Sequence, residues 1–352
     1  MITCVTPADP QSPFLRACRR QPVPYTPVWF MRQAGRSLPE YRSARTGKSM
    51  LAACMNAEVI TEITLQPVRR FAVDAAIFFS DIVIPLRAVG LDIDIRPGVG
   101  PVLGERFASE KDLDKLPALE PGAIPYVTEA VTALVAELGD TPLIGFAGGP
   151  FTLASYLVEG GPSKNHERTK ALMYGDPELW HKLLTRLTDI TIAFLHTQVS
   201  AGAAAVQVFD SWVGVVAPDD YKAAVLPHSR RVFGALAATG VPRIHFGVGT
   251  GELLRLMGEA GADVVGVDWR VSLDEAARRV DVGKALQGNL DPAVLLAPWP
   301  EVERRTRDTI ARGRVAEGYV FNLGHGVLPA TDPDVLARLT DLVHTESARE
   351  PG

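Results

Sequence analysis

Cysteine is scarce in this sequence: Cys4, Cys18 and Cys54 are the three it has, all within the first 54 of 352 residues. An odd, sparse set without CxxC spacing argues against a disulfide framework and a structural zinc site, and it fits a reducing compartment. Long apolar runs are missing too. AAIFF and LIGFA are short and interrupted, well below the roughly eighteen residues of a membrane span. The opening MITCVTPADPQSP has no basic region ahead of an apolar core, so no signal peptide is expected. These absences predict a soluble, cytoplasmic protein with no membrane association. There is no HExxH and no pairing of His with Cys, so no metal site is expected. FAGGP lacks the serine of a nucleophile elbow. FGVGTGE (246–252) lacks the Lys-Ser/Thr of a P-loop and reads as a strand-to-helix turn rather than a phosphate cradle. No lysine ends an expected strand, which weighs against a Schiff-base aldolase. A net charge of −5 gives no global basic signature for nucleic acid.

Acidic residues are also scarce at one end, and this shortage is informative. Residues 1–50 carry eight Lys and Arg against Asp9 and Glu40, a net of +6, which leaves −11 for the remainder. The excess peaks in PVWFMRQAGRSLPEYRSAR (27–45). An apolar run, 27–31, stops at Arg32, and Arg36, Arg42 and Arg45 follow with Glu40 as the sole acid among them. Arginine is permanently charged and presents a planar fork of donors that matches carboxylate or phosphate. The stretch reads either as a site for a ligand with several anionic groups or as a solvated loop and helix face. Charge alone leaves both open.

The 47% hydrophobic content is ample for a large core. Residues 1–26, rich in Pro and polar residues, read as an N-terminal extension with a short helix at FLRACRR. Apolar runs of strand length fall at 27–31, 75–80, 142–147, 204–210, 243–247, 263–268, 284–288 and 319–323. Most are apolar on both faces, as a parallel sheet covered by helices requires. Helical spacing marks 57–71, 122–138, 177–200, 219–239, 251–261, 272–280, 300–316 and 332–347. Between 82 and 103 the pattern shortens, and LDIDIRPG reads as a hairpin or loop outside the main sheet. Eight strands alternating with helices predict an α/β protein, a (β/α)8 barrel in a single domain over 1–352. A doubly wound open sheet is the alternative, but no GxGxxG follows an early strand.

In a (β/α)8 barrel the active site lies at the C-terminal ends of the strands. That rule selects Arg32 after the first strand and Asp81 after the second. The third opens into AGGPFTLASY, with Tyr156. The fourth ends at Asp210-Ser211-Trp212, the sixth at Asp268-Trp269 and the seventh at Asn289. His325 follows the eighth, between two glycines. Asp81 either pairs with one of the arginines or accepts N–H groups and stabilises positive charge in a ligand. Tyr156 and Ser211 are hydroxyl donors, and His325 is either a packed residue or part of the site.

PVWFMRQAGRSLPEYR resembles the N-terminal signature of the uroporphyrinogen decarboxylase family. FFSDI (78–82), GFAGGPFTLASYLVEG (145–160), QVFDSW (207–212), QGNLDP (287–292) and FNLGHGVLP (321–329) resemble that family's blocks, in its order. Ser37 departs from the pattern, which more often has an aromatic residue there. The resemblance implies a single-domain barrel, usually a homodimer, that works without metal or organic cofactor. It implies decarboxylation of the four acetate side chains of uroporphyrinogen III, giving coproporphyrinogen III. By the same resemblance Asp81, Arg32, Tyr156 and His325 are the catalytic positions. Arg36 and Ser211 join them in binding substrate, with Gln33, Arg45, Phe79 and Phe209 lining or supporting the cleft. Such a substrate, with eight carboxylates around four pyrrole N–H groups, would account for a positive cleft in an acidic protein and for a carboxylate beside it. Two rivals remain: a zinc- and cobamide-dependent methyltransferase of the same fold, and a non-catalytic tetrapyrrole or polyanion carrier. The first needs thiolate ligands, and no cysteine follows Cys54.

Overall fold

The computed structural model describes residues 9–35 and 37–349, so Arg36 lies outside the described residues. Its strands are β1 (Ala76–Ile77), β2 (Ile93–Arg96), β3 (Gly100–Leu103), β4 (Leu143–Gly148), β5 (Ala205–Phe209), β6 (Arg243–Phe246), β7 (Val264–Gly266), β8 (Ala285–Leu290) and β9 (Tyr319–Leu323). Seven of them form one parallel sheet in the order β1-β4-β5-β6-β7-β8-β9. The antiparallel pair β2-β3 stands apart, as the hairpin excursion predicts. Every residue of β4, β8 and β9 is buried, so both faces are covered.

The first expected strand, 27–31, is reduced to a single bridge, Val28 to Phe321. It still closes the barrel. On one side Phe321 N–H donates to Pro27 O at 2.8 Å; on the other Asp74 N–H donates to Val28 O at 2.8 Å. Pro27 has no N–H to give to a ladder, and side chains take over the remaining pairing. Asp74 Oδ2 accepts Val28 N–H at 2.7 Å and Asn322 Oδ1 accepts Met31 N–H at 3.0 Å. Gln33, fully buried, accepts Phe30 N–H at 3.0 Å and donates to Ala75 O at 3.1 Å.

The barrel is filled. Gln287 on β8 donates to Gln207 on β5 at 2.9 Å and accepts Trp29 Nε1–H at 3.0 Å. Since β5 and β8 are not neighbours, this contact runs through the interior. Above it, Phe209 meets Phe146 at 5.4 Å and Phe246 at 6.0 Å between ring centroids. This is a packed core rather than a pore.

Two helices fall where spacing placed them, Ala57–Phe71 and Pro177–Ser200. The helix expected over 219–239 is broken into Pro218–Ala224 and Leu226–Leu236, with a 3-10 turn after it. Pro227, inside the first turn of the second helix, offers no amide hydrogen to continue the first, and the chain turns at Val225, φ −124° and ψ −47°. A helix that the spacing did not show, Pro150–Glu159, follows β4 at once. Its marks are Pro150 at the first helical position and Gly160 at φ 82° just past its end.

Candidate active site

Arg32 sits at the end of the closing segment with φ at 60°, a left-handed backbone rare for a side chain of its size. Glycines on two sides make that possible. A Cβ on Gly35 would lie 2.5 Å from Arg32 O, and one on Gly326 would lie 2.5 Å from Arg32 Cδ. The side chain is exposed and makes no ion pair among the described residues. A bare guanidinium therefore stands at the C-terminal mouth of the barrel.

Three residues far apart in sequence share its field. Asp81, half-buried after β1, accepts Val83 N–H at 3.1 Å and has no ion-pair partner among the described residues. Burial raises its pKa above the ordinary value; the Val83 N–H and then Arg32 pull the other way. The alternative in which an arginine neutralises Asp81 is thus not what the structure shows among these residues. Tyr156 is on the helix Pro150–Glu159, half-buried, its ring tilted 35° against Trp212 at 4.0 Å. Burial and the charge of Asp81 push its phenol upward against Arg32, so it stays a neutral donor. His325 is held down to about 4 by burial first, then by Arg32, against the pull of Asp268. Its Nδ1 accepts Gly326 N–H at 2.7 Å, which puts the proton of the neutral ring on Nε2. The ring meets Phe246 and Trp269 edge-on, at 6.5 and 6.2 Å.

The remaining expected positions divide. Ser211, half-buried beyond β5, has a hydroxyl with no partner among the described residues. Phe79 is buried beside β1, with its N–H bonded to Thr64 Oγ1 at 3.1 Å, while Phe209 is half-buried in the aromatic layer. Gln33 has its amide bonded to backbone, so its part is to support the closing segment. Arg45 donates to Tyr41 Oη at 2.7 Å, and the Tyr41 ring meets the edge of Phe79 at 5.8 Å. Arg45 is therefore connected to Phe79 through the Tyr41 ring. Trp212 stands at a strand end without a role of its own in the sequence, and Thr152 ties β5 to the Tyr156 helix. Neither has a motif of its own; the only signal was their adjacency to Ser211 and Tyr156.

Among the described residues no three His, Cys, Asp or Glu side chains converge as a metal site, and no helix is long and apolar enough to cross a membrane.

Fold and site together define a barrel enzyme whose polar side chains gather at the C-terminal ends of parallel strands, around Arg32, which makes no ion pair among the described residues. The chain belongs to the family described as uroporphyrinogen decarboxylase (URO-D), whose model matches residues 9–346. It is 67% identical over 348 residues to a uroporphyrinogen decarboxylase of Streptomyces griseus, covering 99% of this chain and 95% of the relative. A namesake from Thermobifida fusca is 67% identical over 347 residues, covering 99% and 96%. A solved methyltransferase from Methanosarcina mazei shares the fold at TM-score 0.78 and 16% identity, covering 96% of this chain and 98% of that one.

Proposed function

We propose that this chain decarboxylates the four acetate side chains of uroporphyrinogen III to methyl groups, and that Asp81, Arg32, Tyr156 and His325 carry the chemistry. The observation behind this assignment is a half-buried carboxylate lying in the field of an exposed guanidinium, neither of them ion-paired among the described residues. The substrate presents pyrrole N–H donors at its centre and carboxylates around its rim. Asp81 accepts the N–H groups; Arg32 and Arg36 take carboxylates, with Ser211, Tyr156 and the Nε2–H of His325 as neutral donors to others. Phe79 and Phe209 supply apolar surface, and Gln33 and Arg45 support from behind.

The reaction needs an electron sink beside each acetate, and the pyrrole provides it. A proton added to a ring carbon leaves the ring cationic, and the acetate C–C bond then breaks toward it with loss of carbon dioxide. The methylene left behind takes a proton to become methyl, and the ring carbon gives its own proton back. One proton thus replaces each carbon dioxide. Asp81, half-buried and fixed by the Val83 N–H, stabilises the cationic ring without reorganising. Its charge matters because burial makes the field stronger than in water. Arg32 holds the departing carboxylate; with a pKa above about 12 it is a poor acid. The resemblance also supports a cytoplasmic homodimer, which sedimentation of the purified chain tests.

The function itself is tested by mass spectrometry of the purified chain with uroporphyrinogen III under oxygen-free conditions. Four successive losses of carbon dioxide, undiminished by a chelator, are expected. Substrate bound but unchanged would make the protein a carrier, and loss of activity on chelation would favour a metal-dependent reaction.

A further inference from the structure

Thr152 lies one helical turn before Tyr156 on the helix Pro150–Glu159, so the two share a face. Both grip the same turn. Thr152 Oγ1 accepts Trp212 N–H at 3.2 Å, while the Tyr156 ring packs on the Trp212 ring. Thr152 in turn is held by Asp210, a fully buried carboxylate whose Oδ1 accepts Thr152 Oγ1–H at 2.8 Å and Thr152 N–H at 3.3 Å. Asp210 is itself fixed to the barrel, its N–H donating to Phe246 O at 2.7 Å. Gly149 leaves the room for this contact: a Cβ there would lie 2.6 Å from the Asp210 carboxyl carbon. Ser211 is the residue between the two fastened ends.

Resting on the reading of Tyr156 and Ser211 as donors to substrate carboxylates, we propose that Thr152, backed by Asp210, is a positioning residue that sets those two hydroxyls as one unit. A hydroxyl is needed at position 152 because it must accept from Trp212 and donate to Asp210 at once. Valine has the same shape and can do neither. Serine can do both.

The test is a mutant cycle on the full-length chain with uroporphyrinogen III. Thr152→Val is expected to raise KM about tenfold with kcat changed less than threefold, because ground-state grip on carboxylates is what it loosens. In a Tyr156→Phe, Ser211→Ala background, where both donors are already gone, Thr152→Val is expected to cost less than a further twofold. Thr152→Ser is expected to stay within twofold of wild type. A purely structural threonine would instead lower activity by the same factor in both backgrounds, and that result overturns the proposal. If Thr152→Val does not fold, Thr152→Ser still decides: a folded serine variant with a tenfold loss overturns it. An inactive wild-type chain would defeat the proposed function itself, a different outcome from an active wild type whose costs simply multiply.

Discussion

Asp81→Asn isolates charge from shape at the centre of the proposed mechanism. The amide oxygen still accepts the Val83 N–H, so the loop after β1 keeps its geometry. What disappears is a unit charge beside a ring that becomes cationic. At about 4 Å and an effective dielectric constant of about 20, that interaction is worth ~4 kcal/mol. Removing a preorganised electrostatic partner in other enzymes costs roughly a hundred- to a thousandfold in kcat. A fall of that size is expected here, read as initial rates of carbon dioxide loss by mass spectrometry. A second readout moves the opposite way. Because burial raises the Asp81 pKa, the folded state holds a proton that the unfolded chain releases once pH exceeds the ordinary value of 3.8. Stability therefore falls as pH rises through that window, and the ionised carboxylate remains a cost at neutral pH. Asn removes that cost, so the melting temperature should rise while activity collapses. A variant with kcat within threefold of wild type refutes the electrostatic role. One that loses activity and also melts several degrees lower shows Asp81 serving the fold, which refutes the reasoning too.

Tyr156→Phe keeps the ring on Trp212 and loses only the hydroxyl; kcat/KM should fall about ten- to a hundredfold, as for a hydrogen bond to a charged group, with near-UV circular dichroism unchanged. Gly326→Ala places a methyl 2.5 Å from Arg32 Cδ, 2.7 Å from Cγ and 3.1 Å from Cβ, so the whole Arg32 side chain must shift. A loss of about tenfold to a hundredfold in kcat/KM is expected in the folded variant, and wild-type kinetics would show that Arg32 needs no such placement. His228 and His325 are both held down to about 4, chiefly by burial. Below pH 6.5 the unfolded chain takes up protons that the folded one refuses, so stability should drop as pH falls from 6.5 toward 4 and level off beneath that. For His228, 7% exposed, the loss is about 3 kcal/mol. His228→Gln should flatten that limb in urea titrations at stepped pH, and an unaltered slope would assign it elsewhere.

The barrel was legible because its strands are apolar on both faces and its helices keep their period. Ala57–Phe71 and Pro177–Ser200 fall where the spacing places them. Where the reading failed, a local signal had been outvoted. Pro227 splits a pattern that looked continuous over 219–239, and Pro150 with Gly160 marks a helix to which the spacing gave no element. The closing segment 27–31 has the composition of a strand but one bridge, because side chains of Asp74, Asn322 and Gln33 do the pairing.

The site divides along the same line. Arg32, Asp81, Tyr156, Ser211 and His325 could be named from the chain because each stands at or soon after the end of an apolar run, in a block resembling one family. Residue type and order along the chain are local properties, and they suffice to propose these positions, not to establish their roles. Only the tertiary structure decided that Asp81 is free of an ion pair among the described residues, that Gln33 faces backbone, and that Arg45 is connected to Phe79 through Tyr41. It also supplied the left-handed turn of Arg32 against Gly326, and the bond from Asp210 through Thr152 to Trp212. Those depend on contacts between residues up to hundreds of positions apart. Burial and pairing are properties of the packed molecule, and a linear sequence does not state them.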